Sequence, residues 1–138
     1  MRLFAVENLE KSEIVISKIL SLLMEWGIRE CELEFEELEL DDEFRFFFFP
    51  CIEWLTDEGV IRTGEIHGEL GGTGCGSVMN PVLTSYGLNV LGTRIQLGET
   101  EEKLSDAVKK VSAGSRSYAQ FGDFVGDLLG GFTKSIGS

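Results

Sequence analysis

The side chains that could support catalysis lie in one glycine-rich stretch. His67, the single histidine, and Cys75 are the one pair that could act as base and nucleophile. A chain reversal between them would place them roughly opposite each other. A catalytic dyad also needs an orienting group and a pocket, and the nearby acids are limited to Glu65 and Glu69. We therefore predict an exposed histidine, a small buried cysteine and no enzymatic activity.

Ligand-binding motifs are also missing from the sequence. The run at 71–77 superficially resembles a phosphate loop, but it lacks the Gly-Lys-Ser/Thr ending, and no predicted helix follows it. Its glycine spacing also differs from that of a dinucleotide fingerprint. The acids at 30–43 lack the DxDxDG spacing of a calcium loop, and Cys31, Cys51 and Cys75 show no CxxC spacing. We predict no cofactor and no metal.

Length and composition favour a small globular protein. The chain has 138 residues, of which 43% are hydrophobic, as expected for one domain with a terminal appendage. Three cysteines favour a reducing compartment. Glu7 precedes any apolar run long enough for a signal peptide. The most apolar stretch, 14–24, is shorter than the ~20 residues of a spanning helix. We predict a cytoplasmic protein without integral membrane association.

Helical periodicity is clearest near the N terminus. Residues 2–6 are compatible with a short edge strand, and Asn8 is a suitable N-cap for a helix that runs to about Trp26. Gly27 lies where a left-handed C-cap is expected. The apolar residues of this helix recur at spacings of three and four, and form one stripe: Leu9, Ile16, Ile19, Leu20, Leu23 and Trp26.

The next stretch, 28–49, is ambiguous. Residues 28–44 fit either a strand or a helix, and we favour a short helix followed by a loop at Asp41 and Asp42. Residues 44–49 contain five of the ten phenylalanines. We expect these aromatics in the core, since leaving all of them exposed would create an apolar patch that soluble monomers rarely tolerate. A helix is predicted from Phe49 or Pro50 to Gly59, with a buried strand over the phenylalanines as the alternative.

The period changes to that of strands between 60 and 83. Two strand-like segments, 60–70 and 74–83, meet at a glycine-rich turn, which predicts a hairpin. Six glycines fall between 64 and 76, so the tip should be poor in side-chain packing. The residues of interest in this hairpin are Arg62, His67, Gly71, Gly72 and Cys75.

Three further helices are predicted after the hairpin. Thr84 is a plausible N-cap for a helix at 85–91 that ends at Gly92 and turns Leu83, Leu88 and Leu91 inward. Thr100 is a plausible cap for a helix at 101–112. Its predicted apolar face consists of Leu104, Ala107, Val108 and Val111. A last helix spans 118–132.

That last helix combines an apolar stripe with Gly122, Gly126 and Gly130, which repeat every four residues. Because each helical glycine costs about 1 kcal/mol relative to alanine, the row favours close approach of another helix. The helix either folds back on its own domain, associates with a second copy or contacts a membrane surface; we favour a homo-oligomer. The predicted interface comprises Phe121, Gly122, Phe124, Val125, Gly126, Leu128, Leu129, Gly130 and Phe132.

The order of these elements resembles a winged-helix domain over roughly residues 8–92. The resemblance is carried by residues 52–61, which look like the end of a recognition helix entering a wing, and by the LTxxGxxxL pattern at 83–91. It implies an α+β, winged-helix-like domain at 1–95 with a C-terminal helical extension at 96–138. The resemblance is to small bacterial and phage winged-helix proteins. Many such proteins regulate transcription by binding DNA, whereas others bind proteins, so the fold alone does not fix the function.

The charge distribution argues against DNA. The chain has a net charge of -12. Residues 1–60 contain 5 Lys+Arg and 16 Asp+Glu, so most of the negative charge lies in this part of the chain. The would-be recognition helix carries Glu53, Asp57 and Glu58, and a face of this sign repels phosphates. The few cations near that face are Arg45, Arg62 and Arg94. A basic strip of Lys103, Lys109, Lys110 and Arg116 could still form in a dimer.

Nine of the acids fall within residues 30–43. They are Glu30, Glu32, Glu34, Glu36, Glu37, Glu39, Asp41, Asp42 and Glu43. This segment is either a solvated face that keeps an aromatic-rich protein soluble or a docking surface for a basic partner. We predict a non-catalytic regulatory module that binds a protein, plausibly a basic one, and self-associates. The alternatives are a DNA-binding regulator and an acidic DNA mimic that blocks a nucleic-acid enzyme.

Overall fold

The computed structural model describes residues 2–68, 75–97 and 100–112, which form an α+β fold of helices and small antiparallel sheets. The helices are α1 (Arg2–Trp26), α2 (Phe48–Asp57), α3 (Ser85–Leu91) and α4 (Leu104–Ser112), with 3-10 helices at Phe35–Leu38 and Asp42–Phe47. The strands are β1 (Glu32–Glu34), β2 (Ile61–Arg62), β3 (Ile66–Gly68), β4 (Gly76–Met79), β5 (Val82–Leu83), β6 (Arg94–Leu97) and β7 (Thr100–Lys103).

Four antiparallel pairings organise the described strands into three sheets. The largest sheet has the order β1-β4-β3, with β4 in the centre. Val78 of β4 lies opposite Leu33 of β1 on one side and Ile66 of β3 on the other. The remaining strands form the two-stranded sheets β2-β5 and β6-β7. The antiparallel pairing of the two predicted strand segments is therefore confirmed, while the turn between them lies outside the described residues. β1 adds a third strand to β3 and β4.

One hydrophobic core unites the helices with this sheet. Leu20 of α1, Leu33 of β1 and Phe48 of α2 belong to it, together with Val90 of α3 and Val108 of α4. α4 packs against both α1 and α3. The N-terminal part of the predicted extension thus shares its core with residues 1–95. The proposed boundary between 95 and 96 stays a prediction.

Helix α1 buries Ile16, Ile19, Leu20 and Leu23 of the predicted stripe but begins earlier than expected. Residues 2–6 are helical rather than extended, so the edge strand was wrong. Asn8 lies inside the helix, where its carbonyl accepts a hydrogen bond from Ser12 Oγ, and is not the N-cap. The end at Trp26 is confirmed, because Gly27 adopts φ +73° and its N–H donates to Leu23 O. α1 also buries Glu13 and Ser17, which the apolar periodicity did not identify.

The ambiguous stretch before α2 resolves into a strand followed by two 3-10 helices. Our preference for a helix was wrong at Glu32–Glu34, where Leu33 is buried between two exposed glutamates. A strand is favoured there because β4 supplies its hydrogen-bonding partner, which local sequence does not show. The predicted loop is right at Asp41 and wrong at Asp42, where the second 3-10 helix begins.

Helix α2 matches the predicted position closely. It begins at Phe48, so Pro50 lies in the first turn, where a missing N–H is tolerated. Gly59 follows the helix with φ +79°, a left-handed conformation that favours glycine. The helix buries Phe48, Cys51, Ile52 and Leu55. The alternative of a strand over the phenylalanines was wrong.

Helix α3 confirms both its bounds and its cap. Thr84 Oγ1 accepts a hydrogen bond from the Gly87 N–H at 2.9 Å, as an N-cap does. Leu83 and Leu91 are buried as predicted, but Leu88 is 51% exposed, so its inward orientation was wrong. Val90 takes the buried place instead, because α3 turns its other face towards the core.

Residues 94–97 and 100–103 form the antiparallel pair β6-β7, where the sequence had suggested the start of a helix at 101. Thr100 is therefore the first residue of β7 and not an N-cap, and α4 starts at Leu104. Leu104, Ala107 and Val108 are buried as predicted. The predicted helix at 118–132 and its glycine row lie outside the described residues.

Candidate protein-binding surface

The acidic segment is a two-sided layer over the core. Leu33, Phe35 and Leu38 point inward and are buried, while all nine carboxylates of residues 30–43 are exposed. The strand and the first 3-10 helix achieve this together, because both place successive acids on the solvent side. The backbone thus presents the acids as one ordered surface, which we call the acidic surface and define as the nine acids of 30–43.

Arg45 anchors one end of the acidic surface. Its Nη2 lies 2.8 Å from Glu36 Oε2 and its Nε lies 2.7 Å from Asp42 Oδ1. The guanidinium carbon is 4.7 Å from the centre of the Phe35 ring, and Nη1 is 4.0 Å from Cys75 Sγ. Arg45 therefore ties the acidic surface to the buried aromatics and to the hairpin.

The ion pairs of Arg45 change the titration of both partners. The hydrogen bond from Arg45 lowers the pKa of Glu36 below its ordinary value. The hydrogen bonds to Asp42 and then to Glu36 raise the pKa of Arg45, so its positive charge is fixed at all relevant pH values. Arg45 is thus already neutralised and offers little to a phosphate backbone.

The hydrogen bond between Arg45 and Glu36 predicts a measurable change in the pKa of Glu36 when Arg45 is replaced. In an Arg45→Gln variant, we expect the pKa of Glu36 to rise towards its ordinary value, because the donor that stabilises the carboxylate is lost. The pKa of Glu36 is lower in the folded protein than in the unfolded chain. The ion pair with Arg45 therefore stabilises the fold above the pKa of the unfolded chain, and this stabilisation disappears as the pH falls through the pKa of the folded protein. NMR titration of the Glu36 side chain measures the shift.

Lys11 provides the matched control for that titration. Its Nζ lies 3.3 Å from Glu43 Oε2, in the same acidic surface but away from Glu36. Lys11→Gln should leave the pKa of Glu36 where it is in the native protein. An equal rise in both variants would show that general field effects, not the Arg45 hydrogen bond, set the pKa of Glu36.

Most of the acidic surface has no counter-charge. Glu36 and Asp42 pair with Arg45, and Glu43 pairs with Lys11. Within the part of the chain that the structure describes, the other six carboxylates form no ion pair: Glu30, Glu32, Glu34, Glu37, Glu39 and Asp41. These six exposed charges create a local negative field that is open to a partner.

Helix α2 extends the negative charge beyond the segment. Glu53, Asp57 and Glu58 are exposed at or just after this helix. Just before it, Phe46 is 66% exposed, while Phe44, Phe47 and Phe49 are half-buried against the core. An exposed aromatic next to ordered charges is the composition of an interface centre with a polar rim. Sequence reasoning had missed Phe46 because the whole phenylalanine run was assigned to the core.

The hairpin residues occupy separate environments. His67 lies opposite Ser77, so the register does not place Cys75 across from it. His67 Nε2 is 3.8 Å from Glu65 Oε2, whereas Cys75 Sγ lies 4.0 Å from Arg45 Nη1. Cys75 is half-buried, and the expected exposure of His67 is confirmed. Arg62 is exposed in β2, and the predicted turn residues Gly71 and Gly72 lie outside the described residues.

The three cysteines are free thiols, and Cys51 is the most protected. Its Sγ donates to Ser12 O at 3.7 Å inside the core, and burial raises the pKa of Cys51 to about 12. A thiol that keeps its proton and is enclosed by α1 and α2 is a poor nucleophile. Cys51 therefore serves as a structural residue of the core.

The raised pKa of Cys51 predicts a loss of stability in alkali. Unfolding releases a thiol that ionises near its ordinary value of 9.0, so the stabilisation is complete below about pH 9 and is lost as the pH rises towards about 12. Cys51→Ala should flatten this decline, and urea unfolding at about pH 8 and about pH 10.5 measures it. Cys75→Ala, at a half-buried position, is the control. If the free energy of unfolding fell equally with pH in the native protein and in both variants, Cys51 would not be the cause of the decline.

An apolar groove lies on another side of the molecule. It encloses about 310 Å³ between the end of α1 and α3, and Leu23, Met24, Leu83 and Leu88 line it together with Ile28. Ile28 and Leu88 are 79% and 51% exposed. The described residues show no occupant for this groove, and the C-terminal interface predicted at 121–132 lies outside them.

Metal and membrane criteria identify nothing further in the described ranges. There, no group of three or more His, Cys, Asp or Glu side chains is arranged to hold a metal ion. Among the same residues, no helix is both long and apolar enough to cross a membrane. Comparisons with family models, curated proteins and solved structures find no match.

Proposed function

We propose that this chain is a non-catalytic, winged-helix-like module that binds a basic protein through its acidic surface. The observation that carries the proposal is the ordered exposure of nine carboxylates, six of them without an ion pair in the described part of the chain. Ordering matters because the backbone is already fixed, so binding a partner has to immobilise only the side chains. Exposed Phe46 adds an apolar contact that such a partner would bury.

The winged-helix part of the proposal is supported by the element order. Helix α2 ends at Asp57, passes through left-handed Gly59 and leads into β2 and the β3-β4 hairpin. Helix α3 follows, with a threonine cap and a glycine in its first turn, as the LTxxGxxxL pattern implied. This is the order that the sequence resemblance implied for a recognition helix, a wing and the helix behind it.

The acidic character of that arrangement favours a protein partner over DNA. The exposed side chains of α2 and its end include Glu53, Asp57 and Glu58, which would face phosphates at a recognition surface. Of the cations near that face, Arg45 is engaged by Glu36 and Asp42. The DNA mimic is the special case in which the basic partner is a nucleic-acid enzyme.

A charge-matched pair of variants tests the proposal. One carries Glu32→Gln, Glu34→Gln and Glu37→Gln in the acidic surface. The control carries Glu25→Gln, Glu65→Gln and Asp106→Asn, three exposed acids elsewhere, so both change the net charge equally. We expect the first to lose roughly tenfold more affinity for fluorescent poly-L-lysine at low salt, since three local charges contribute about 1.4 kcal/mol together.

Two results would overturn the proposal. Equal losses in the two triple variants would mean that the acids act only as diffuse surface charge. Binding of duplex DNA that weakens steeply with added salt would favour the DNA-binding regulator instead. Fluorescence anisotropy measures both ligands under the same buffer conditions.

Self-association belongs to the same proposal and is supported by sequence alone. The support is the glycine row at 122, 126 and 130 beside the apolar stripe of the predicted C-terminal helix. A chain ending at residue 114 should have the mass of a monomer in solution, while the full chain has that of an oligomer. Identical masses for the two folded chains would contradict self-association through this segment.

A further inference from the structure

Two arginines line one open depression on the side of the molecule that carries β2 and the β4-β5 turn. The depression has a volume of about 460 Å³. Arg29 and Arg62 line it together with Thr63 and Asn80, and Ile28 and Glu30 contribute as well. In a protein with 24 acids and 12 basic residues, the presence of two arginines at one depression calls for an explanation.

The fold holds the walls of this depression by backbone pairing. Asn80 donates its N–H to Cys31 O at 2.7 Å, and its Oδ1 accepts the Cys31 N–H at 3.1 Å. On the other wall, the Gly64 N–H donates to Met79 O at 2.7 Å. Arg29, two residues before Cys31, and Arg62, two residues before Gly64, are therefore attached to fixed backbone.

Arg29 is held in place without being neutralised. Its Nε donates to Trp26 O at 3.1 Å, and its guanidinium carbon lies 5.6 Å from the centre of the Trp26 ring. These contacts leave the outer N–H groups of the fork available. Across the described residues, neither Arg29 nor Arg62 forms an ion pair, in contrast to Arg45, which has two.

We propose that this depression binds a phosphate group carried by a small organic molecule. Planar arginine forks match the geometry of oxyanions, and two of them provide more donors than a single carboxylate can accept. The Thr63 hydroxyl and the Asn80 amide add neutral donors; Asn80 Oδ1 is already occupied, so its NH₂ group is what remains. A tetrahedral dianion uses donors from several directions, and exposed Ile28 offers an apolar contact for the rest of the ligand.

Glu30 sets the expected strength of binding. Its carboxylate also lines the depression and reduces the net charge of the lining to that of one cation. Inorganic phosphate, without an organic body, should therefore bind with a Kd on the order of 1–10 mM. The depression shares Glu30 with the acidic surface, but Arg29 and Arg62 lie outside that surface. The triple variant that tests the acidic surface leaves Glu30 unchanged, so the two proposals fail separately.

The test is an NMR titration of the ¹⁵N-labelled full chain with inorganic phosphate at constant ionic strength and about pH 8, where the dianion predominates. We expect saturating shifts confined to the amides around Arg29, Arg62, Thr63 and Asn80. Parallel titrations with sodium acetate and sodium chloride distinguish phosphate from a carboxylate and from general salt effects. Neither should saturate at these amides.

Three variants are expected to weaken, strengthen and leave unchanged the binding of inorganic phosphate. Arg62→Gln should weaken phosphate binding at least about fivefold, and Glu30→Gln should tighten it about two- to fivefold by removing the repulsion. Lys109→Gln, at an exposed position on α4, should leave it unchanged. Shifts that do not saturate in the native chain, or a Kd that Glu30→Gln fails to lower, would overturn the proposal. Acetate binding as tightly as phosphate would overturn the assignment to phosphate.

Discussion

Phe48→Ala is expected to destabilise the fold by about 3–5 kcal/mol, because it removes a whole aromatic ring from a site that cannot collapse easily. The Phe48 side chain is 0% exposed and lies among α1, β1 and α2 residues in the core. Its ring packs edge-on against Phe35 at 6.1 Å and against Phe49 at 4.9 Å between centres. Since small domains are stable by only about 5–15 kcal/mol, urea unfolding should show a large shift of the midpoint.

Phe46→Ala is the matched control from the same run of phenylalanines. Phe46 is 66% exposed, so its truncation should change the free energy of unfolding by no more than about 0.5 kcal/mol. If the two variants were equally destabilised, the run would be uniformly buried and Phe46 would not belong to the partner-binding surface. If neither were destabilised, the placement of Phe48 in the core would be wrong.

This pair of residues shows what the sequence could predict and what it could not. The richness of 44–49 in phenylalanine was sufficient to predict a core contribution and a helix that accommodates Pro50 in its first turn. Which ring points inward depends on where the second 3-10 helix ends and α2 begins, at Phe47 and Phe48. The position of that boundary depends on tertiary packing, so composition alone could not predict it.

Elements with local signals were predicted well, and those that depend on distant partners were not. Gly27, Gly59 and the Thr84 cap act on their immediate neighbours, and all three helix boundaries were correct within one or two residues. β1 is stabilised by β4, more than 40 residues away, and the sequence left it open between a strand and the helix that we favoured. For β6-β7 a local signal did exist: Gly98-Glu99 separates two four-residue segments, which is the spacing of a tight hairpin.

The candidate sites also differ in how far the sequence could predict them. Nine clustered acids are evident in the sequence, and their exposure follows from their alternation with Leu33, Phe35 and Leu38. The place of Arg29 and Arg62 at one depression is not evident, because antiparallel pairing and the β4-β5 turn bring together residues far apart in sequence. The partners of Arg45 are only three and nine residues away, but their pairing depends on two 3-10 helices that the sequence did not predict. A charge count therefore found the negative surface, while the positive depression required three-dimensional structure.

Gly87→Ala should be as damaging as a core truncation, although alanine is the better helix former. A Cβ at position 87 would overlap the carbonyl oxygen of Val60, and that oxygen also accepts the Thr84 N–H at 3.0 Å. Helix α3 would have to move away from the chain after α2, which would break its cap contacts with Gly59 and Val60. We expect a loss of roughly 3 kcal/mol or more, and a fall in Tm of about 10 °C.

Gly92→Ala separates this steric effect from helix propensity. Gly92 has φ -82°, and the nearest atom to an added Cβ is Leu88 O at 3.4 Å, an ordinary contact distance. Alanine there should leave stability unchanged or raise it by about 0.5 kcal/mol, since it restricts the unfolded chain. Calorimetry of both variants decides the question. A stabilised Gly87→Ala would show that α3 does not approach Val60 closely, and the joint between α2 and α3, on which the winged-helix proposal depends, would have to be redrawn.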